Sequence, residues 1–286
     1  MQMKKTKISK NKKPLVIYHK SCQDGFGAAW AAWKKFGAKA EYFAAAHPSF
    51  PPKIIKGREV YMLDFCYSKE GMEYAMKNAS RVVVIDHHAS QRDAVKLSTE
   101  RIFKMGNSGS VLAFKYFFPE KAVPKMLLYI EDKDIWKFAL KGTEEYLSFL
   151  ETRSFDFKIW DKLIKDFEDA GKRKSFYEKG ASIVSFSERN IESIASSAEW
   201  VVFAGHKCLA ANSPSFVSEV GHVLASKAKG IGIIWCKKGN KVRVSLRSNG
   251  KVDVAKIAAK YGGGGHKAAA AFAFEVKGSV VKLPWK

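Results

Sequence analysis

Groups able to bind metal or move protons stand at the ends of three apolar runs. Arg81–Ser90 reads RVVVIDHHAS, so four β-branched residues lead directly into Asp86, His87 and His88. Tyr61-Met62-Leu63 ends in Asp64, and Leu15-Val16-Ile17-Tyr18 ends in His19 with Asp24 close behind. A His-His pair after one strand is ordinarily a polar turn. Three strands that all end in carboxylate or imidazole point to one shared site. His19, Asp24, Asp64, His87 or His88, and Asp132 make a mixed imidazole–carboxylate set. Nitrogen donors argue against a pure Mg2+ or Ca2+ site, and the absence of a thiolate cluster argues against structural zinc. Mn2+ fits best. The number of donors suits two ions about 3.5–4 Å apart, the arrangement that activates water for in-line displacement at phosphorus.

Such residues meet only if parallel strands deliver them to one sheet edge, the edge where open α/β sheets bind ligands. The apolar runs are short and unbroken, as expected of strands buried on both faces of a parallel sheet. Strands are expected over Pro14–Tyr18, Lys39–Ala45, Glu59–Leu63, from Arg81 and over Arg101–Lys104. Helices are expected over Gly25–Phe36, Lys69–Asn78, from the Asn107–Ser110 turn to Phe118, and over Ala122–Ile130. Gly25-Phe26-Gly27 is no dinucleotide fingerprint, because Trp30 stands in place of the third glycine and Asp24 would repel a pyrophosphate. The Asn107–Ser110 turn suits either an ordinary helix cap or a phosphate cradle. Glu131–Trp136 carries three acids in four residues after an apolar run, and one Asp is expected to point inward. Lys172–Ser197 reads as a connecting helix. A second unit follows, with strands Trp200–Ala204, Lys207–Ala210, Gly230–Cys236, Lys241–Arg247 and Ala270–Phe274, and with helices Phe216–Ser226 and Val252–Tyr261. No internal repeat is visible.

The chain has 286 residues and is 47% hydrophobic, enough for a sizeable core in two domains. Its 50 Lys and Arg against 28 Asp and Glu leave a formal net charge of +22. That excess suits a polyanionic partner such as nucleic acid, although the lysines are widely scattered. The four cysteines, Cys22, Cys66, Cys208 and Cys236, form neither a CxxC pair nor a disulfide framework, which suggests reduced thiols in a cytoplasmic protein. No run approaches the roughly 18 apolar residues of a membrane span. Met1–Lys13 is lysine-rich and reads as a disordered tail with no secretory signal behind it.

The motifs taken together resemble the DHH phosphoesterase family, in the branch with a DHH-associated C-terminal domain. His19 with Asp24-Gly25 resembles the first motif, Asp64 the second, Val84–His88 the third and Asp132 the fourth. Ser245-Leu246-Arg247-Ser248 and Gly262–His266 resemble the C-terminal signature. The resemblance implies that His19, Asp24, Asp64, His87 and Asp132 are metal ligands, with Asp134 a competitor for the role of Asp132. It implies that His88 faces the scissile phosphate and that Asp86 orients a histidine. It assigns substrate binding to Arg247, Ser245, Gly263, Gly264, Gly265 and His266. Glycines there would let backbone N–H groups approach a phosphate, while a plain flexible turn is the simpler account of the glycines alone. Two positions depart from the pattern. Cys22 stands where many members carry an aspartate, and Ala271 stands where a small residue, often Gly, is expected.

The expected architecture is α/β. A doubly wound, mainly parallel sheet domain is followed by a connecting helix and a smaller C-terminal α/β domain with a mixed sheet. The divisions are a tail at 1–13, a catalytic domain at 14–165, a helical linker at 166–198 and a substrate-binding domain at 199–286, with the substrate in a cleft between the domains. The expected activity is a Mn2+-dependent phosphodiesterase or exonuclease of the nanoRNase type, with Mg2+ or Co2+ as substitutes, acting on short single-stranded oligonucleotides or dinucleotides. No membrane is involved, and an oligomer is left open. The alternatives are hydrolysis of cyclic or linear dinucleotides, 3′-phosphoadenosine phosphate or polyphosphate. In another class, the chain is a nucleic-acid-binding protein with a decayed metal site.

Overall fold

The computed structural model describes residues 12–276 and 281–285, so most of the expected tail at 1–13 lies outside the described residues. The chain divides into two units, Met1–Ile183 and Val184–Lys286.

In the first unit the elements run β1 (Leu15–His19), α1 (Gln23–Phe36), β2 (Glu41–Ala45), β3 (Glu59–Leu63), α2 (Lys69–Asn78), β4 (Arg81–Asp86), α3 (Arg92–Val95) and β5 (Glu100–Phe103). They continue with α4 (Gly109–Phe117), α5 (Lys125–Asp134), α6 (Thr143–Glu151), α7 (Phe157–Glu168) and α8 (Ala170–Ser196), the last of which runs on into the second unit. The five strands form one parallel sheet in the order β2-β1-β3-β4-β5. The chain winds to one side of β1 and then crosses to the other, so the strand order reverses between β1 and β3. Ligand sites belong at such a switch point.

Alternation along each strand supplies both faces. Val16, Tyr61, Leu63, Val83 and Ile85 pack with Phe26, Trp30, Val111, Leu127, Leu147 and Trp160 from α1 and α4–α7. Leu15, Ile17, Val60, Met62, Val82 and Val84 pack on the opposite side with Met72 and Ala75 of α2 and Val95 of α3. Both faces are buried, which is why the strands read as unbroken apolar runs. Small residues bring α1 close to α4: a Cβ on Gly27 would meet the Ser110 Cβ at 2.9 Å.

Register is what matters for the site. Tyr18 pairs with Leu63 and Leu63 with Ile85. The next residues along these strands are His19, Asp64 and Asp86, so three potential ligands reach the sheet edge at one level.

The structure alters one helix with consequences for the site. A helix was expected over Ala122–Ile130, with the acids of 131–136 following it. Instead α5 starts after Pro124 and continues through Asp134. Proline disfavours helical backbone in the residue before it, which delays the start. Helices α6 and α7 were not anticipated. Asp156 caps α7, its carboxylate accepting from the Lys158 and Ile159 N–H groups at 2.9 Å.

The second unit holds β6 (Glu199–Phe203), β7 (His206–Asn212), α9 (Val217–Lys227), β8 (Ile231–Lys238), β9 (Lys241–Ser248), α10 (Val254–Ala259), β10 (Gly264–His266) and β11 (Ala269–Glu275). Its six-stranded sheet has the order β10-β11-β9-β8-β7-β6. Among the described residues only the β7–β8 pair is parallel, with α9 as its crossover, so the sheet is mixed as expected. Val242, Val244 and Leu246 of β9 pack with Val254, Ile257 and Ala258 of α10, while Leu209, Ala211 and Ile234 pack with Val220 and Leu224 of α9. The glycine tract, expected as a loop, ends in the short strand β10. No helix among the described residues is long and apolar enough to cross a membrane.

Trp160 is fully buried, its ring edge-on to Phe26 at 4.9 Å. Trp160→Ala should cost about 3–5 kcal/mol of stability, as for other large core truncations. Urea unfolding of the two proteins measures this.

Candidate metal centre

His19 ends β1, Asp64 follows β3, and Asp86 ends β4 with His87 and His88 behind it. Asp64 extends the strand pairing, its N–H donating to the Ile85 carbonyl at 2.8 Å. Its backbone then turns into the left-handed region (φ 52°), which an aspartate tolerates better than most residues. The turn aims its carboxylate into the cluster. His87 Nε2 lies 3.2 Å from Asp64 Oδ1, 3.4 Å from Asp134 Oδ2 and 3.8 Å from Asp24 Oδ2. His19 Nδ1 lies 3.5 Å from Asp64 Oδ2, and Cys22 Sγ is 3.9 Å from the same oxygen.

Asp24 sits in the first turn of α1, but the N-terminus of α4 holds it. The Gly109 N–H donates to Asp24 Oδ2 at 2.6 Å and the Ser110 N–H to Oδ1 at 2.9 Å. Ser108 caps the same helix, its Oγ accepting from the Val111 N–H at 3.4 Å. The Asn107–Ser110 turn is therefore a helix cap whose anion is a protein carboxylate, and the phosphate reading of that turn is withdrawn. Glycine is required at 109, because a Cβ there would stand 2.5 Å from that of Asp64. Gly25 is likewise pressed against His19, whose carbonyl oxygen would lie 2.4 Å from an added Cβ.

Asp86 orients His88: its Oδ1 lies 2.7 Å from His88 Nδ1 and accepts the His87 and His88 N–H groups at 2.7 and 3.2 Å. His47, which the sequence did not mark, stacks on Phe65 at 4.5 Å with His19 at 6.2 Å. Burial, followed by His19 and His88, holds its pKa below the ordinary value. A histidine in a proline-marked loop carried no signal that it would return to this edge.

Asp132 is not in the cluster. Its oxygens accept from the Ala139 and Leu140 N–H groups at 2.8 and 3.0 Å and from Thr143 Oγ1 at 2.5 Å. Those bonds hold its carboxyl below the ordinary range despite burial. It organises the turn between α5 and α6. Asp134 takes the place assigned to Asp132. Because α5 runs through both, residues two apart lie about 200° apart around the helix axis, so only one can face His87.

The electrostatics fit a cation. Burial and then Asp64 raise the Asp24 pKa to about 6. Burial, then Asp24 and Asp64, push Asp134 well above the carboxylate range. Burial also raises Asp64, but hydrogen bonds from His19 and His87 outweigh it and leave Asp64 low. Burial opposes the charge on His87, yet Asp64 and Asp134 lift its pKa to about 10. Asp86 and Asp64 lift His88 to about 9 against the same burial cost. Asp24, Asp64 and Asp134 thus crowd around His87, while Asp86 and Asp64 face His88. Asp64 Oδ1 is buried facing the His87 and His88 rings, and Asp86 Oδ2 is buried with no hydrogen bond among the described residues. Three groups of donors, Asp64-Asp86-His87-His88, His19-Cys22-Asp64 and Asp24-His87-Asp134, each have ligand atoms within 4.8 Å of one another. Mixed oxygen and nitrogen donors at this spacing suit divalent ions.

The second unit gathers its expected residues differently. Strand pairing lines up Gly232, Arg247, Ala269 and His266 in one row, and Ile234, Ser245, Ala271 and Gly264 in the next. Arg247 and His266 therefore stand in one row on one face of the sheet, with Ser245 in the neighbouring row of that face. Gly263 and Gly265 have packing reasons of their own, since added Cβ atoms would meet the Ala271 and Ala269 carbonyl oxygens at 2.1 and 2.4 Å. Alternation in β9 sets Lys241, Arg243, Ser245 and Arg247 on one face, of which Lys241 and Arg243 are exposed. Helix α9 covers its far end: Ser245 is buried, and Arg247 packs along Gly221 and donates to Ser218 Oγ at 2.8 Å.

Exchanging the two aspartates of α5 tests their roles. Asp134→Asn should lower bound metal while leaving the melting temperature of the metal-free protein near that of wild type or above it. Asp132→Ala should keep the metal and lose stability by roughly 1–3 kcal/mol, the cost of orphaned donors. Elemental analysis and thermal unfolding check both.

Residues 201–282 match the sequence profile of the DHHA1 domain. A curated relative, an uncharacterized protein of Acanthamoeba polyphaga mimivirus, is 29% identical over 302 residues, covering 95% of this chain and 70% of the relative. Among solved structures, the DHH domain of a member of the s1p family of ribosomal proteins is similar at a TM-score of 0.60 and 13% identity, covering 93% of this chain and 83% of that one. An exopolyphosphatase-related protein from Bacteroides fragilis is similar at 0.54 and 16% identity, covering 94% and 88%. These structural likenesses speak to fold. The second unit thus matches the DHHA1 profile, and the chain shares the fold of a solved DHH-domain protein.

Proposed function

We propose that this chain is a divalent-metal-dependent phosphodiesterase that hydrolyses short single-stranded oligonucleotides or dinucleotides, with Mn2+ as its working ion. One observation carries the reading: His19, Asp24, Asp64, His87 and Asp134 converge at one level of a parallel sheet's C-terminal edge, beside the strand-order reversal. When bound, divalent ions polarise phosphoryl oxygens and acidify water.

The chain's own groups have separable tasks. Asp24 is held rigidly by the α4 N–H groups, and Asp64 by its pairing to Ile85, so the ligand oxygens are positioned before any ion arrives. Asp86 commits His88 Nδ1, so His88 would meet a phosphoryl oxygen through Nε2. As an imidazolium it would complement the phosphate charge. Arg247, Gly264 and His266 are assigned the substrate contact, while buried Ser245 and the tightly packed Gly263 and Gly265 shape the strands that carry them. The surplus of 22 positive charges favours a polyanionic substrate over a small neutral one.

A nanoRNase-like preference is the favoured refinement. The Bacteroides neighbour's name keeps polyphosphate as the competing substrate. Incubating the protein and Mn2+ with labelled RNA and DNA from dimers to long strands, with cyclic dinucleotides and polyphosphate alongside, should give a ladder that shortens to mononucleotides fastest from the shortest chains. Release of inorganic phosphate from polyphosphate alone would replace the substrate assignment. Absence of any hydrolysis together with absence of bound metal would favour a nucleic-acid-binding protein with a decayed site. Asp64→Asn should retain the fold and lose metal and nearly all turnover.

Arg247→Ala should leave metal content intact and raise KM for oligonucleotides. It should scarcely change hydrolysis of a small artificial phosphodiester. Equal losses on both substrates would remove Arg247 from substrate binding.

A further inference from the structure

The centre has two chemically different halves. His19, Cys22 and Asp64 offer nitrogen, sulfur and oxygen, whereas Asp24, His87 and Asp134 offer one nitrogen and two oxygens. The first trio is spaced for ligation. Cys22 Sγ and His19 Nδ1 lie 3.9 and 3.5 Å from Asp64 Oδ2. Around a tetrahedral ion with a metal–sulfur bond of about 2.3 Å and metal–nitrogen or metal–oxygen bonds of about 2.0–2.1 Å, adjacent donors stand about 3.3–3.6 Å apart. Small side-chain shifts close the difference. Cys22 is also the N-cap of the 14-residue α1 and makes no side-chain cap hydrogen bond; burial, then Asp64 and Asp24, hold its thiol well above the ordinary range in the metal-free protein. Asp64 links the two halves: its side chain is only 1% exposed, with Oδ2 facing His19 and Cys22 and Oδ1 lying 3.2 Å from His87 Nε2.

We infer that the His19–Cys22–Asp64 position selects a thiophilic divalent ion such as Zn2+ or Co2+, while the Asp24–His87–Asp134 position takes a hard ion such as Mn2+ or Mg2+. The centre is then mixed-metal. The inference rests on the reading of this cluster as a metal centre and adds the chemical class of each ion. A soft thiolate discriminates in favour of Zn2+ and Co2+, and carboxylates suit Mn2+ and Mg2+. As the sulfur–metal bond forms, the thiol proton passes to solvent. Sharing Asp64 between the two groups keeps the positions adjacent without making them equivalent.

Cobalt reports sulfur ligation directly. Metal-free protein in saturating Mg2+, titrated with Co2+ under reducing conditions, should develop a near-ultraviolet sulfur-to-cobalt charge-transfer band that saturates at one equivalent. Cys22→Ser should abolish the band and weaken Co2+ binding by more than the roughly 10–100-fold that loss of an outer-shell partner costs. Cys22→Asp should abolish the band yet still bind two hard ions. A wild-type protein that binds Co2+ without the band, or a band that survives in Cys22→Ser, overturns the inference and leaves the metal centre standing. A protein that takes up no divalent ion at all overturns the metal-centre reading itself.

Discussion

The structure depends on holding like charges together. Asp24, Asp64 and Asp134 all approach His87 Nε2, a concentration of negative charge that a protein interior disfavours unless something positive repays it. Part of the repayment is built in. The α4 N-terminus gives two N–H groups to Asp24, and His19 and His87 face Asp64. The rest falls on the proton affinities of the cluster, which are raised at Asp24, Asp134 and His87. A divalent ion would compete with protons for these groups, which would make metal affinity and pH interdependent.

Much local detail follows from that constraint. Glycine stands at 109 because the helix that neutralises Asp24 must also touch Asp64, and at 25 because α1 must start against His19. Asp86 offers Oδ1 to two backbone N–H groups and to the His88 ring, fixing the turn that sets the His87 and His88 rings side by side, 4.4 Å apart. Asp132 fastens the segment that follows Asp134. On the reading of this cluster as a metal centre, these residues would act without touching substrate, since a misplaced ligand oxygen would weaken the hold on the ion.

The second unit is built on another rule, that of cross-strand rows. Antiparallel pairing across β9, β11 and β10 sets Arg247 and His266 on one face although 18 residues of chain separate them. The glycine tract makes this approach feasible, for a side chain at 263 or 265 would collide with β11. Helix α9 then selects which part of that face stays open by covering Ser245 and the stem of Arg247.

The sequence by itself determined the parallel sheet, its two buried faces and the arrival of His19, Asp64 and Asp86–His88 at strand ends. Those features are local, because an unbroken β-branched run identifies a buried strand, and the residue after it must emerge at the edge. The alternation that buries Val242, Val244 and Leu246 was legible for the same reason. Tertiary structure decided the rest. Asp134 faces the cluster and Asp132 does not, because α5 extends further than its apolar pattern and its phase is set by packing. The Ser108–Ser110 turn receives Asp24 because α1 and α4 pack side by side, a contact between residues 85 apart in sequence. Periodicity gives the phase of a side chain within its element. Which neighbour meets that side chain is a long-range property, and only the folded chain contains it.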